Sequence, residues 1–195
     1  MSSRALIRLI VIQVFEKLIE EGGADRLNKI IPIAGDVGQD KLGLSADDEA
    51  RLQGDVNVVF HCAATLDFEA NLKTTVEINL LGTRRILQFS EKVKNIRVVV
   101  HVSSAYVNSN KSGHLEETLY PVSEKVEKVI SLAASLSDDA LEELTPKILG
   151  THPNTYTFTK ALAEHEVAEA ASKFPVAIVR PSMSKSSLAC SQSLP

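Results

Sequence analysis

The chain has too few cysteines, too little positive charge and too short an apolar run for several broad classes of protein. Cys62 and Cys190 are the only cysteines among 195 residues. Two exclude a disulfide framework or a cysteine-rich metal site, and they fit a reducing, intracellular compartment. Net charge is −4, and no basic stripe is interleaved with aromatics, which argues against nucleic acid as a partner. His61, His101, His114, His152 and His165 lack metal-ligand spacing with carboxylates or cysteines, so no metal is expected and all five read as structural or surface residues. Ser103 and Ser104 are not framed by a Gly-x-Ser-x-Gly elbow, which disfavours a hydrolase nucleophile. No apolar run reaches the roughly 18 residues of a membrane span. The nearest, Ala5-Leu-Ile-Arg-Leu-Ile-Val-Ile-Gln-Val-Phe15, is broken by Arg8 and Gln13 and lacks a signal-peptide cleavage site. It reads as a buried helix or strand.

What is present is a globular composition, 44% hydrophobic and 24% charged, in a chain long enough for one domain. Residues 2–23 suit a helix ending at Gly22-Gly23, although Ile10-Val-Ile12 also suits a strand. Residues 29–33 read as a short strand entering Ala34-Gly-Asp36-Val37, and residues 47–52 as a short helix. Val56-Asn-Val-Val-Phe-His61 is a nearly continuous apolar strand, the pattern expected when both faces are covered. A helix over 71–93, a strand over 96–102, a polar loop over 109–121 and a helix over 123–144 closed by Pro146 follow. A helix carrying Tyr156 and a strand over 175–179 complete the series. Alternating strands and helices of this length predict an α/β fold, a Rossmann-like doubly wound parallel sheet. Ligands of such sheets bind beyond the carboxyl ends of the strands. That rule selects Asp36-Val37, Cys62-Ala63-Ala64, Ser103-Ser104 and Pro181-Ser182.

The chemistry centres on Asn154-Thr-Tyr156-Thr-Phe-Thr-Lys160. A tyrosine and a lysine four apart on a helix share one face. In the first turn the helix dipole favours the phenolate, and the lysine ammonium stabilises the same anion. Such a phenol can hand a proton to a developing alkoxide, the acid needed when a hydride adds to a carbonyl. Taken alone, the pair equally describes a surface helix. Ser104 reads either as a turn hydroxyl or as a second donor to the carbonyl oxygen. Asn79, in mid-helix where asparagine is a mediocre former, is either the holder of a water that relays protons to Lys160 or an exposed or core-satisfied amide. Asp36 is either an acceptor for an adenine amino group or a plain turn aspartate.

Ser104, Tyr156 and Lys160 in this strand order resemble the extended short-chain dehydrogenase/reductases. Ile31-Pro-Ile-Ala-Gly-Asp-Val37, Val56-Asn-Val-Val-Phe-His-Cys-Ala-Ala64, Val76-Glu-Ile-Asn-Leu-Leu-Gly-Thr83, His101-Val-Ser-Ser-Ala-Tyr-Val-Asn108 and Pro153-Asn-Thr-Tyr-Thr-Phe-Thr-Lys160 resemble, more narrowly, the alcohol-forming fatty acyl-CoA reductases, especially those of insects. The resemblance implies NADPH-dependent reduction of a long-chain fatty acyl-CoA through an aldehyde to a fatty alcohol. It implies Tyr156 as proton donor, Lys160 as its tuner and ribose ligand, Ser104 as carbonyl aligner and Asn79 as relay. It also implies Asp36 and Val37 at the adenine, Cys62, Ala63 and Ala64 along the adenosine ribose and pyrophosphate, and Pro181 and Ser182 at the nicotinamide. Association as a homodimer, and peroxisomal or endoplasmic-reticulum membranes as the location, are further implications.

The family's opening Gly-rich turn, which cradles the cofactor pyrophosphate, has no counterpart in residues 1–23, and Ser184-Lys-Ser-Ser-Leu-Ala-Cys-Ser-Gln-Ser-Leu-Pro195 replaces the family pattern after Ser182. The expected organisation is therefore a divergent segment over 1–23, a partial reductase domain over 24–183 with its first βα unit missing, and an unstructured tail over 184–195. Two other readings stand beside the reductase. One is an inactive truncated binding or dimerisation module; the other is a sugar-nucleotide epimerase or dehydratase of the same superfamily.

Overall fold

The computed structural model describes residues 16–182, so the expectations for the 5–15 run and the 184–195 tail lie outside the described residues. The chain divides into two compact units, Met1–Ala34 and Gly35–Pro195. In the first, helix α1 (Glu16–Gly22) ends where Gly23 takes φ +80° and its N–H donates to the Ile19 carbonyl at 2.8 Å. The helix thus stops at the glycine pair, with Gly23 in a positive-φ conformation open to glycine. A 3₁₀ turn (Ala24–Lys29) follows. The strand expected over 29–33 does not form. Ile30 is extended, but no ladder is recorded here, Pro32 has no N–H to offer one, and Ile31 is 56% exposed.

The second unit is built on three parallel strands, β1 (Val58–His61), β2 (Val98–Val102) and β3 (Val176–Val179), in the order β1-β2-β3. The register aligns His61 with His101 and His101 with Ile178. Between Ser45, whose hydroxyl accepts from Asp48 N–H, and β1 runs helix α2 (Ala46–Asp55). The predicted 71–93 helix is a rod of three parts: α3 (Leu72–Thr75), a π segment (Val76–Leu81) and α4 (Gly82–Ser90). The predicted 123–144 helix is two, α5 (Val126–Ser135) and α6 (Asp138–Leu149). Ser137 starts a new helix by accepting from Ala140 N–H, and the acidic Asp138-Asp139 pair suits the new first turn. Pro146 lies inside α6 instead of closing it; the stop is Gly150 at φ +59°. Helix α7 (Thr155–Ala170) precedes β3.

Two apolar clusters hold these elements. Val59, Val99 and Ile178 from the sheet meet Leu87, Val167, Ala170 and Phe174. Leu72, Leu80, Val129, Leu141, Ile148, Phe158 and Leu162 form the other, farther from the strands. Helix α7 contributes to both, and every residue from Thr155 to Glu164 is buried. The surface-helix reading of the Tyr156 segment is thereby overturned: this helix is central, without a solvent face along its first half. The covered-on-both-faces reading of β1 also fails. Phe60 is 69% and Val58 37% exposed, because the side chains alternate and the recorded packing against α4 and α7 lies on the Val59 side.

Two local expectations follow. The Asn154 side chain accepts from Thr157 N–H at 2.8 Å and starts α7; Asn154→Ala is expected to lower stability by about 1 kcal/mol in urea denaturation. At Gly82 a Cβ would meet Val37 Cβ at 3.2 Å and its carbonyl oxygen at 3.4 Å. Gly82→Val is expected to lower stability by about 1–3 kcal/mol by forcing the 36–43 turn off α4.

Candidate active site

The strand ends set the geometry. Beyond β2 the parallel ladder continues: Ser103 N–H donates to Val179 O at 2.7 Å and Ala105 N–H to Pro181 O at 2.9 Å. Residues 103–105 therefore run beside 179–181. Ser104 is buried, and its Oγ accepts from Tyr106 N–H at 3.2 Å. A hydroxyl that accepts in this way keeps its own proton free to donate. Arg180 anchors the neighbouring loop: its guanidinium grips both carboxylate oxygens of Glu164 at 2.8 and 2.7 Å and also donates to Thr118 O. Pro181 and Ser182, just past it, are exposed.

Tyr156 lies in the first turn of α7, 5% exposed, with the Phe68 ring edge-on at 5.1 Å. Thr155 Oγ donates to Ala70 O at 2.8 Å, so the start of α7 fastens the loop after β1. Asn79 fastens the same loop. Its Oδ1 accepts from Thr65 N–H at 2.9 Å and its amide nitrogen donates to Thr159 Oγ1 at 3.3 Å. Of the readings open for Asn79, the core-satisfied amide describes where the side chain goes; it tethers residues 62–65 to the π segment and to α7. Within that loop Cys62 and Ala63 are exposed and Ala64 half-buried.

Lys160, one turn beyond Tyr156, is 2% exposed. Its Nζ donates to Val102 O at 2.7 Å and approaches His101 Nε2 at 3.4 Å. Burial pulls its pKa down to about 8, against the opposing pull of Glu164 and Cys62. The two histidines beside it are not surface residues. His101 is fully buried and His61 4% exposed, with ring centroids 5.3 Å apart. Burial first, and then the Lys160 charge, push His61 down to about 4 and His101 to about 2, so both are neutral at physiological pH. His61 Nε2 lies 2.9 Å from Thr83 Oγ1, and Thr83 gives its one hydroxyl proton to Asn79 O at 2.7 Å. The His61 proton must therefore sit on Nε2. These two histidines, Thr83 and the Glu164–Arg180 pair are parts of the site that the sequence reading missed. The available signal was positional: His61 is the last residue of β1 and His101 the last but one of β2, one and two residues before segments assigned to ligand.

Asp36 spends its carboxylate on its own turn, accepting from Gly38 N–H at 2.8 Å and from the Gln39 amide at 3.2 Å. Val37 O accepts from Arg85 at 2.9 Å. The turn includes Lys41 and Leu42 at φ +52° and +62°, with Asp36 N–H bonded to Leu42 O. Asp36, Val37 and Ala63 share the wall of a hollow of about 550 Å³ with Leu44, Leu52 and Ile86. Four groups of expected site residues thus lie at the carboxyl ends of the strands and on α7, while Asp36 and Val37 lie on the α4 side and meet them at the hollow shared with Ala63.

Comparison with known proteins agrees with this architecture. The profile of an NAD-binding family described as male sterility protein matches residues 3–191. The chain belongs to the male sterility protein family. Relatives of this chain carry the name fatty acyl-CoA reductase: one from Drosophila melanogaster is 58% identical over 170 residues, 87% of this chain and 33% of the relative. Fatty acyl-CoA reductase 1 of Rattus norvegicus is 40% identical and that of Xenopus laevis 39%, each over 88% of this chain and 33% of the relative. The chain spans about a third of the length of these curated relatives. Among solved structures, the terminal R domain of the myxalamid biosynthetic pathway matches with a TM-score of 0.55 and 27% identity, over 82% of this chain and 34% of that one. A thiolation-reductase di-domain of an archaeal non-ribosomal peptide synthetase matches with a TM-score of 0.52 and 25% identity, over 86% and 41%. The α/β class with a parallel sheet and the resemblance to the fatty acyl-CoA reductases both stand.

Proposed function

We propose that this chain is the cofactor-binding and catalytic part of an NADPH-dependent fatty acyl-CoA reductase. The observation that carries the proposal is the placement of Tyr156 and Lys160 on a buried helix whose lysine is pinned to the end of β2. The residues present fit the ribose and adenine ends of a dinucleotide. An ammonium has three donors, and two of those of Lys160 have protein partners, which leaves one for a ribose hydroxyl. The hollow beside Asp36, Val37 and Ala63 is largely apolar, as a flat base requires, with a carboxylate at its wall. When bound, NADPH supplies a hydride, and two equivalents convert an acyl-CoA to an alcohol and free CoA.

The protein's own part is positional and acid–base. Ser104 donates its free hydroxyl proton to the carbonyl oxygen and holds that oxygen against Tyr156. Tyr156 delivers a proton to the oxygen as negative charge develops there. Lys160 stabilises the phenolate left behind, and its lowered pKa lets the ammonium exchange its proton near neutral pH. Asn79 and Thr155 keep the 62–70 loop closed over the crevice side of α7. Cys62, Ala63 and Ala64 present small side chains where a ligand must approach the backbone.

The test is a long-chain acyl-CoA assay that follows NADPH consumption and release of the CoA thiol together. Reductase activity is expected to give both, at two NADPH per thiol. NADPH binding without turnover would leave the inactive binding-module reading, and neither binding nor turnover would overturn the proposal for this chain.

A further inference from the structure

We propose that His101, backed by His61, is a positioning residue for Lys160: its neutral Nε2 takes one ammonium N–H while Val102 O takes another, so that the third is reserved for the ligand. The proposal extends the reductase reading, in which Lys160 meets cofactor and tyrosine. A lysine head on a four-carbon stem has no preferred direction of its own. Here two consecutive residues of β2 supply both acceptors, at 3.4 and 2.7 Å, and fix it from one side.

His101 cannot act as the proton acceptor. It is fully buried, beside the Lys160 charge and the His61 ring, and its pKa of about 2 lies far below that of the lysine. With Nε2 accepting, its proton sits on Nδ1, which has no hydrogen-bond partner among the described residues. An unpartnered buried donor is destabilising, so an apolar side chain of similar size would serve the core better. What only the imidazole offers at this place is the acceptor at Nε2. His61 holds the arrangement from the neighbouring strand. Its ring lies against His101 at 5.3 Å, tilted by 45°, and its Nε2–H is committed to Thr83, which is in turn bonded to Asn79 O. A continuous set of contacts thus joins the lysine to the π segment that carries Asn79.

The groups facing Lys160 are His101 on β2, His61 on β1, Cys62 in the following loop and Glu164 on its own helix, the last held by Arg180. Glu164 and Cys62 favour the charged lysine; burial opposes it. Losing the His101 acceptor removes a hydrogen bond to the charged form and must lower the lysine pKa further.

The experiment is carbon-13 NMR titration of labelled lysine methylenes, with the Lys160 signal assigned by its loss in Lys160→Arg. The wild-type midpoint is expected near 8. His101→Phe should lower it by about one pH unit, and His101→Gln, whose amide oxygen restores an acceptor, should return it. A folded His101→Phe with the wild-type midpoint, or a Gln variant that shifts like Phe, would overturn the proposal. Nitrogen-15 spectra of the unmutated chain give a second reading without any variant. The His101 ring must be neutral with its proton on Nδ1 from about pH 5 to 7, where Lys160 is charged, and a proton on Nε2 in that range contradicts the assignment. Neither readout needs turnover, so a chain inactive as a reductase still answers the question.

Discussion

Tyr156→Phe is expected to lower acyl-CoA-dependent NADPH consumption by about 10²–10⁴-fold, the usual worth of a positioned general acid. The substitution removes one hydroxyl and keeps the ring. The edge-on contact with Phe68 and the burial of the first turn of α7 therefore persist, and stability should stay within about 1 kcal/mol of the parent. Cofactor affinity should change little, because the Lys160 donors are untouched. Loss of turnover with retained NADPH binding and an unchanged unfolding midpoint is the expected result. Turnover equal to the parent would remove the phenol from the chemistry and leave Ser104 as the proton donor.

Acidification from pH 6.5 to 4 is expected to cost roughly 3 kcal/mol of stability for each of the two buried histidines, on the order of 5–6 kcal/mol together. Both imidazoles have folded pKa values below the ordinary 6.5, about 4 for His61 and about 2 for His101. Over that window the unfolded chain binds protons that the folded chain refuses, so stability is full above pH 6.5 and falls as the pH drops. Lys160 acts at the other end of the scale. Its folded value of about 8 lies below the ordinary 10.5, so stability rises as the pH goes from 8 to 10.5 and the buried charge is relieved. Carboxylates also titrate below pH 5, and the double variant His61→Phe/His101→Phe separates them. Urea denaturation at pH 7 and 4.5 should show a steep loss in the parent and a shallower one in the double variant. Equal losses would mean that the histidines are not buried neutral.

The sequence made the fold class legible because the strands 58–61, 98–102 and 176–179 are apolar runs separated by helical spacing, and the pattern of such runs depends on nothing but alternation. It made the pair Tyr156–Lys160 legible because four residues on a helix is a local rule. What it hid was set by tertiary contact. The buried state of α7 came from helices packed around a segment rich in threonine, with no apolar stripe to announce it. The π segment is a backbone adjustment that turns Asn79 toward Thr65 and Thr159, and residue types alone do not encode it. The roles of His61 and His101 depend on strand register, which joins residues forty apart. The 29–33 strand failed for the complementary reason: apolar and β-branched residues give a strand only where a neighbouring edge accepts the ladder.

NADPH titration of the 195-residue chain, followed by nicotinamide fluorescence and repeated with Lys160→Ala, tests the central claim most directly. Saturable binding in the parent, weakened at least tenfold in the variant while both remain folded, is the predicted result. Equal binding by the two chains, or none by a folded parent, would contradict the assignment of this strand-end crevice and its buried lysine as the cofactor site.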